Sequence, residues 1–286
     1  MTPRAGVIFV HGIGNVGPDF ADIMKEGVKK NLNSLDKNAP YGDNNIAYKT
    51  MFWGDILQGY ENRYLNALKD YSLRQDGIRN FVVRILADAT LYTSFSERQG
   101  SFYKMIHTRI HSLLTEMRYE MTESGQAPDA CTKPLFIVAC SLGSVIMTNY
   151  IWDIQKNKIG AQPYMISPLE KMETLSGILT IGSNIPLFAL NDYNLPNTFP
   201  KCIQFPPDKL SADLKAKAKW INMYDKDDVL GYPLNTLGPE FGANKITDVG
   251  INSGGFLSSW NPDCHRKYWV DKDVIKAVAN MLKNSV

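Results

Sequence analysis

Apolar positions along the 286-residue chain fall into two kinds of run that alternate. Short stretches at 6–10, 45–53, 135–139, 177–182, 217–224 and 247–251 are dense in apolar or β-branched residues, the pattern of strands in a parallel sheet covered on both faces. Between them the apolar residues recur every three or four positions. Phe20, Ile23, Met24, Val28 and Leu32 mark a helix over 19–35, and Val145, Ile146, Asn149 and Tyr150 mark one after Gly143. An amphipathic helix over 270–283 closes the pattern. The longest helical span is 54–122, which no strand signal interrupts. Its final part carries a stripe of Tyr103, Ile106, Ile110, Leu113, Leu114 and Met117 that should pack on the sheet. Segments 191–213 and 252–262, rich in Pro, Asn and Asp or in Gly and Ser, read as loops. Strands alternating with helices predict an α/β fold, a mostly parallel sheet flanked by helices, in one domain over 1–286.

Composition narrows the class. A hydrophobic content of 44% supports a sizeable core, and a net charge of +2 with scattered Lys and Arg gives no footprint for nucleic acid. No stretch reaches the ~18 uninterrupted apolar residues of a membrane span, and Met1-Thr-Pro-Arg4 runs straight into a strand, so a cytoplasmic protein without stable membrane insertion is expected. Cys131, Cys140, Cys202 and Cys264 lack Cys-x-x-Cys spacing and are expected to be reduced thiols. No cofactor or metal is implied. His107 and His111 have helical ligand spacing, but Thr108 stands where a His-Glu-x-x-His motif needs its glutamate, which leaves a helix face as the reading. The acidic run from Asp225 puts Leu230 and Thr236 where a calcium loop needs glycine and glutamate. Neither phosphate-binding glycine pattern follows the first strand.

The chemistry concentrates where the strand over 135–139 meets the next helix. Ala139-Cys140-Ser141-Leu142-Gly143 places a serine at a sharp reversal framed by small residues, with the Leu142 N–H at a helix N-terminus where it can stabilise a developing oxyanion. At these residues the chain resembles the α/β-hydrolase family, whose nucleophile elbow is usually Gly-x-Ser-x-Gly; Ala139 replaces the first glycine here. His11-Gly12-Ile13-Gly14 after the first strand is similar to the family's oxyanion loop, which implies the Ile13 N–H as second donor and a structural His11. Of the remaining histidines, His265 follows the final strand, and the family's chain order of serine, acid, histidine implies it as the base. Asp225, Asp227 and Asp228 compete for the acid; Asp228-Val229 is similar to the runs around the acid in lipase-like members, which implies Asp228.

The resemblance thus implies a lipase- or esterase-like serine hydrolase acting on small-molecule carboxylic esters of modestly apolar acids. Ser141 would be the nucleophile, His265 the base and then acid, Asp228 its partner, and the Ile13 and Leu142 amides the oxyanion donors. Activity should rise with pH through about 6 to 7 as an ordinary imidazole becomes neutral. A thioesterase, amidase or acyltransferase would use the same residues, and a non-catalytic binding module would use the scaffold alone. The excess helical length over 54–100, with Tyr60, Tyr64, Tyr71, Phe81, Tyr92 and Phe95, is expected either to cap the site or to fill the core.

Overall fold

The computed structural model describes residues 2–13, 16–35, 45–71, 74, 76–93, 100–156, 167–190, 202–241, 245–253 and 264–283. Among these residues, six parallel strands form one sheet in the order β2-β1-β3-β4-β5-β6: β1 (Ala5–Val10), β2 (Ile46–Met51), β3 (Leu135–Cys140), β4 (Leu175–Ile181), β5 (Lys219–Asp225) and β6 (Ile246–Ile251). Every residue of β1, β3 and β4 is buried, which explains their lack of polar alternation, whereas the edge strands β2 and β6 are partly exposed.

Pleating divides the inner strands between two cores. Ile8, Val10, Ile137 and Ala139 face one side with α4 (Phe102–Met121) and α5 (Leu142–Gln155); Val7, Phe9, Val138 and Cys140 face the other with α1 (Asp22–Leu35) and α9 (Lys272–Lys283). α2 (Gly54–Leu68) and α3 (Asp76–Thr93) precede α4 and contribute Leu57 and Tyr92 to the first core. The stripe expected on α4 is buried at Tyr103, Ile106, Ile110, Leu114 and Met117, and His107, His111 and Met121 join it. Among the described residues no helix is long and apolar enough to cross a membrane.

Register aligns the carboxyl ends of the central strands. Val10 pairs with Ala139, Cys140 with Ile181, and Ile181 with Met223, so the segments after β1, β3, β4 and β5 emerge along one edge. The chain leaves β1 toward β2 and returns on the other side of β1 to form β3. The carboxyl ends of β1 and β3 are therefore the switch point of the sheet, the place where open α/β sheets accommodate ligands.

Some boundaries differ from the sequence expectation. Past α6 (Ile185–Ala189), the strand expected over 217–224 starts at Lys219, because Ser211 caps a short helix, α7 (Ala212–Lys217), by accepting a hydrogen bond from the Leu214 N–H. The helix expected from 270 starts at Lys272, after a tight turn over Tyr268–Val270. His265 lies in a one-turn helix, α8 (Cys264–Lys267), rather than in a loop. Of the loops expected over 191–213 and 252–262, residues 191–201 and 254–262 lie outside the described residues, as do Gly14 and Phe95.

Candidate active site

Ser141 is the last residue before α5 and has φ 51° and ψ −126°, a left-handed backbone for a side chain that rarely adopts it. Such a conformation costs on the order of 1–3 kcal/mol and persists where the surroundings impose it. They do so here from both directions. The Ser141 N–H still donates to Ile181 O at 3.0 Å in the sheet, while Ser141 O already accepts from the Ser144 N–H at 2.9 Å to open the helix. The Ser144 hydroxyl adds a second bond to that carbonyl and meets Ser183 Oγ at 2.8 Å. Leu142 is the first residue of α5, so its N–H belongs to the unsatisfied first turn of the helix. Gly143 is needed for a neighbour other than Ala139: a Cβ there would lie 2.5 Å from His11 O and 2.7 Å from Val10 O.

The loop after β1 rests directly on the serine. A Cβ on Gly12 would fall 2.4 Å from Ser141 Cβ and 3.1 Å from its Oγ, so glycine allows the contact. His11 is held on both sides. Its Nε2 accepts the Trp53 N–H at 3.1 Å, its carbonyl accepts the Trp53 indole N–H at 3.0 Å, and the two rings stack 4.7 Å apart. Nδ1 therefore carries the proton and donates to Gly12 O at 2.6 Å. Burial lowers the His11 pKa from 6.5 to about 4, against the smaller opposing effects of that bond and of Asp55, so the ring is a neutral strut. Because a trans peptide sets C=O and N–H antiparallel, anchoring Gly12 O also fixes the direction of the Ile13 N–H.

On the far side of β4, the turn after β5 carries Asp228. His265 Nδ1 lies 2.7 Å from Asp228 Oδ2; both side chains are buried. The same carboxylate accepts the Leu230 N–H at Oδ1 (3.0 Å) and the Tyr268 hydroxyl at Oδ2 (2.8 Å). Burial alone would raise the Asp228 pKa, but the hydrogen bond and charge of His265, with the bonds from Leu230 and Tyr268, hold it below the ordinary carboxylate value. Two glycines make room for the group: a Cβ on Gly231 would lie 2.6 Å from Oδ2, and one on Gly182, whose φ is 52°, 3.1 Å from it. Asp225, also buried, ends β5 and accepts the Ser253 N–H and hydroxyl and the Asp227 N–H, while Asp227 is exposed.

Ser141 Oγ and His265 Nε2 are both buried, and neither has a hydrogen-bond partner among the described residues. Buried polar atoms are rarely left so, and these two belong to residues that emerge at the same sheet edge. Cys140, beside the serine, points into the opposite core, where burial and the charge of Asp228 push its thiol pKa up. His107 and His111 face the core on α4, with the His107 ring between Tyr92 Oη at 3.1 Å and Asp153 Oδ2 at 3.4 Å. Trp53, Gly231 and the bond from the Tyr268 hydroxyl to Asp228 build the surroundings without having been singled out in the sequence, whereas the loop after Gly182 and the Tyr268-Trp269 pair beside His265 were legible as a pocket-shaping loop and an anchored turn.

The architecture is α/β, a parallel sheet with helices packed on both faces, a strand–serine–helix reversal after β3 and a glycine loop after β1. Among solved structures, Est1E from Butyrivibrio proteoclasticus matches over 99% of this chain and 89% of its own, at 10% identity and a TM-score of 0.37. No family model and no curated protein matches the sequence.

Proposed function

We propose that the protein is a serine hydrolase that cleaves carboxylic esters of modestly apolar acids through an acyl-enzyme on Ser141. One observation carries the reading: a buried imidazole bonded at Nδ1 to a carboxylate, on the sheet edge that holds a strained serine, with neither its Nε2 nor the serine hydroxyl partnered among the described residues. Asp228 keeps the His265 proton on Nδ1, leaving Nε2 to take the Ser141 proton as Oγ attacks the ester carbonyl. The oxyanion accepts hydrogen bonds from the Leu142 N–H at the start of α5 and from the Ile13 N–H, whose direction His11 sets. His265 then returns the proton to the departing alcohol, and water repeats the sequence to release the acid.

In the same reading α2 and α3 form the cap that shapes the acyl pocket. Tyr60, Tyr64, Tyr71 and Leu86 on or between them are exposed, more apolar surface than core packing requires. The test is covalent labelling with a fluorophosphonate, followed by a series of p-nitrophenyl esters of increasing acyl length. Labelling should map to Ser141 and vanish in Ser141→Ala. A folded native protein that resists labelling would instead be a binding module on a hydrolase scaffold.

A further inference from the structure

The Tyr268 hydroxyl is placed to do more than fill space. It donates to Asp228 Oδ2 at 2.8 Å, the same oxygen that His265 Nδ1 approaches at 2.7 Å, and it accepts the Asp225 backbone N–H at 2.8 Å. With its acceptor role taken by a main-chain donor, the hydroxyl has its single proton committed to the carboxylate. The ring is fully buried and lies edge-on to the His265 ring at a centroid distance of 6.1 Å. It also fills the space over Gly182, where a Cβ would lie 2.5 Å from Tyr268 Cε2. The next residue, Trp269, packs edge-on against Phe9 and Phe20, which fixes the turn that carries Tyr268.

We infer that Tyr268 is a positioning residue of the acid–base pair: its hydroxyl shares Asp228 Oδ2 with His265, and so sets how strongly the carboxylate binds the imidazole and holds its tautomer. This rests on the hydrolase reading for its consequence in turnover, but not for its physical content. A carboxylate oxygen that accepts two donors divides its charge density between them, so removing one strengthens the other. Among the described residues, the other groups around Asp228 do not compete for that oxygen. Leu230 N–H binds Oδ1, and Cys140, the other titratable group that senses the carboxylate, is a buried thiol with a raised pKa. Tyr268 itself remains protonated, because burial and the neighbouring Asp228 charge push its pKa far up.

The experiment reads the imidazole rather than the reaction. In protein with ¹⁵N-labelled histidine, the His265 ring is titrated by NMR, its resonances being assigned by their loss in His265→Gln. Tyr268→Phe removes the competing donor and should raise the midpoint by about half to one pH unit relative to the native protein, with the Nδ1 proton moving downfield. Site-specific 3,5-difluorotyrosine at 268 keeps the shape and makes the hydroxyl a stronger donor; it should move both readings the opposite way. It also serves if the phenylalanine variant does not fold. Shifts of opposite sign support the role. An unchanged midpoint in either folded protein, or shifts of the same sign, would overturn it and leave Tyr268 a packing residue. Failure of the hydrolase reading would show separately, as native protein that a fluorophosphonate does not label.

Discussion

Asp225 and Asp228 are three positions apart, both buried and both bonded to backbone N–H groups, yet only Asp228 meets an imidazole. Removing charge while keeping shape should therefore separate them. Asp228→Asn is expected to lower kcat by about 10⁴, as loss of the tautomer-fixing acid does, while Asp227→Asn, on an exposed side chain, should leave steady-state kinetics unchanged. Asp225→Asn weakens a carboxylate that ties Ser253 to the end of β5, so its effect should appear in urea midpoints before it appears in turnover. Ser141→Ala should fold normally and lose about 10³ to 10⁶ in kcat, measured with any ester that the native protein turns over. Gly143→Ala should be as damaging by another route, since its Cβ would press on the backbone of Val10 and His11, which cannot retreat without breaking β1. The serine, its two small neighbours and the competing aspartates could be read from the chain because a tight turn restricts residue types locally. Trp53 and Tyr268 could not, because what each contributes is a hydrogen bond to a residue about 40 positions away.

At the scale of elements, the strands were legible because each is a compact apolar run, and their ends were less so because caps decide them; Ser211 moves the start of β5 by taking Lys217 into a helix. Span 54–122 shows where periodicity stops being informative. It gives helices, but whether an aromatic on them faces the core or solvent depends on how the helices tilt, which no local pattern encodes. The structure sorts them: Tyr92 and Tyr103 are buried and stacked 5.1 Å apart, whereas Tyr60 and Tyr64 are more than half exposed. Tyr92→Ala should cost about 3–5 kcal/mol of stability by chemical denaturation, the usual loss for a large core aromatic. Tyr60→Ala and Tyr64→Ala should cost far less and shift the acyl-length preference in the p-nitrophenyl series. If they leave that preference unchanged, α2 does not line the pocket.

For the molecule as a whole, burial of neutral His11 couples stability to pH. Its folded pKa of about 4 lies below the ordinary 6.5, so its contribution is complete above 6.5 and is lost as pH falls toward 4. That gap corresponds to roughly 3 kcal/mol, and His11→Asn, which retains a donor for Gly12 O, should flatten the dependence of the urea midpoint on pH over that window. Asp228, with a depressed pKa, adds to the acid sensitivity at lower pH still. The two cores give the sheet a further property. Tyr268 and Trp269, which hold the turn beside His265, belong with α1 and α9 on one face, whereas Leu57 and Tyr92 of the proposed cap belong with α4 and α5 on the other. A buried sheet separates the two sets, so substitutions in one reach the other weakly and their effects should add. Under the proposed hydrolase reading, the side that selects the acyl group can therefore be rewritten while the side that carries the acid–base pair stays as it is.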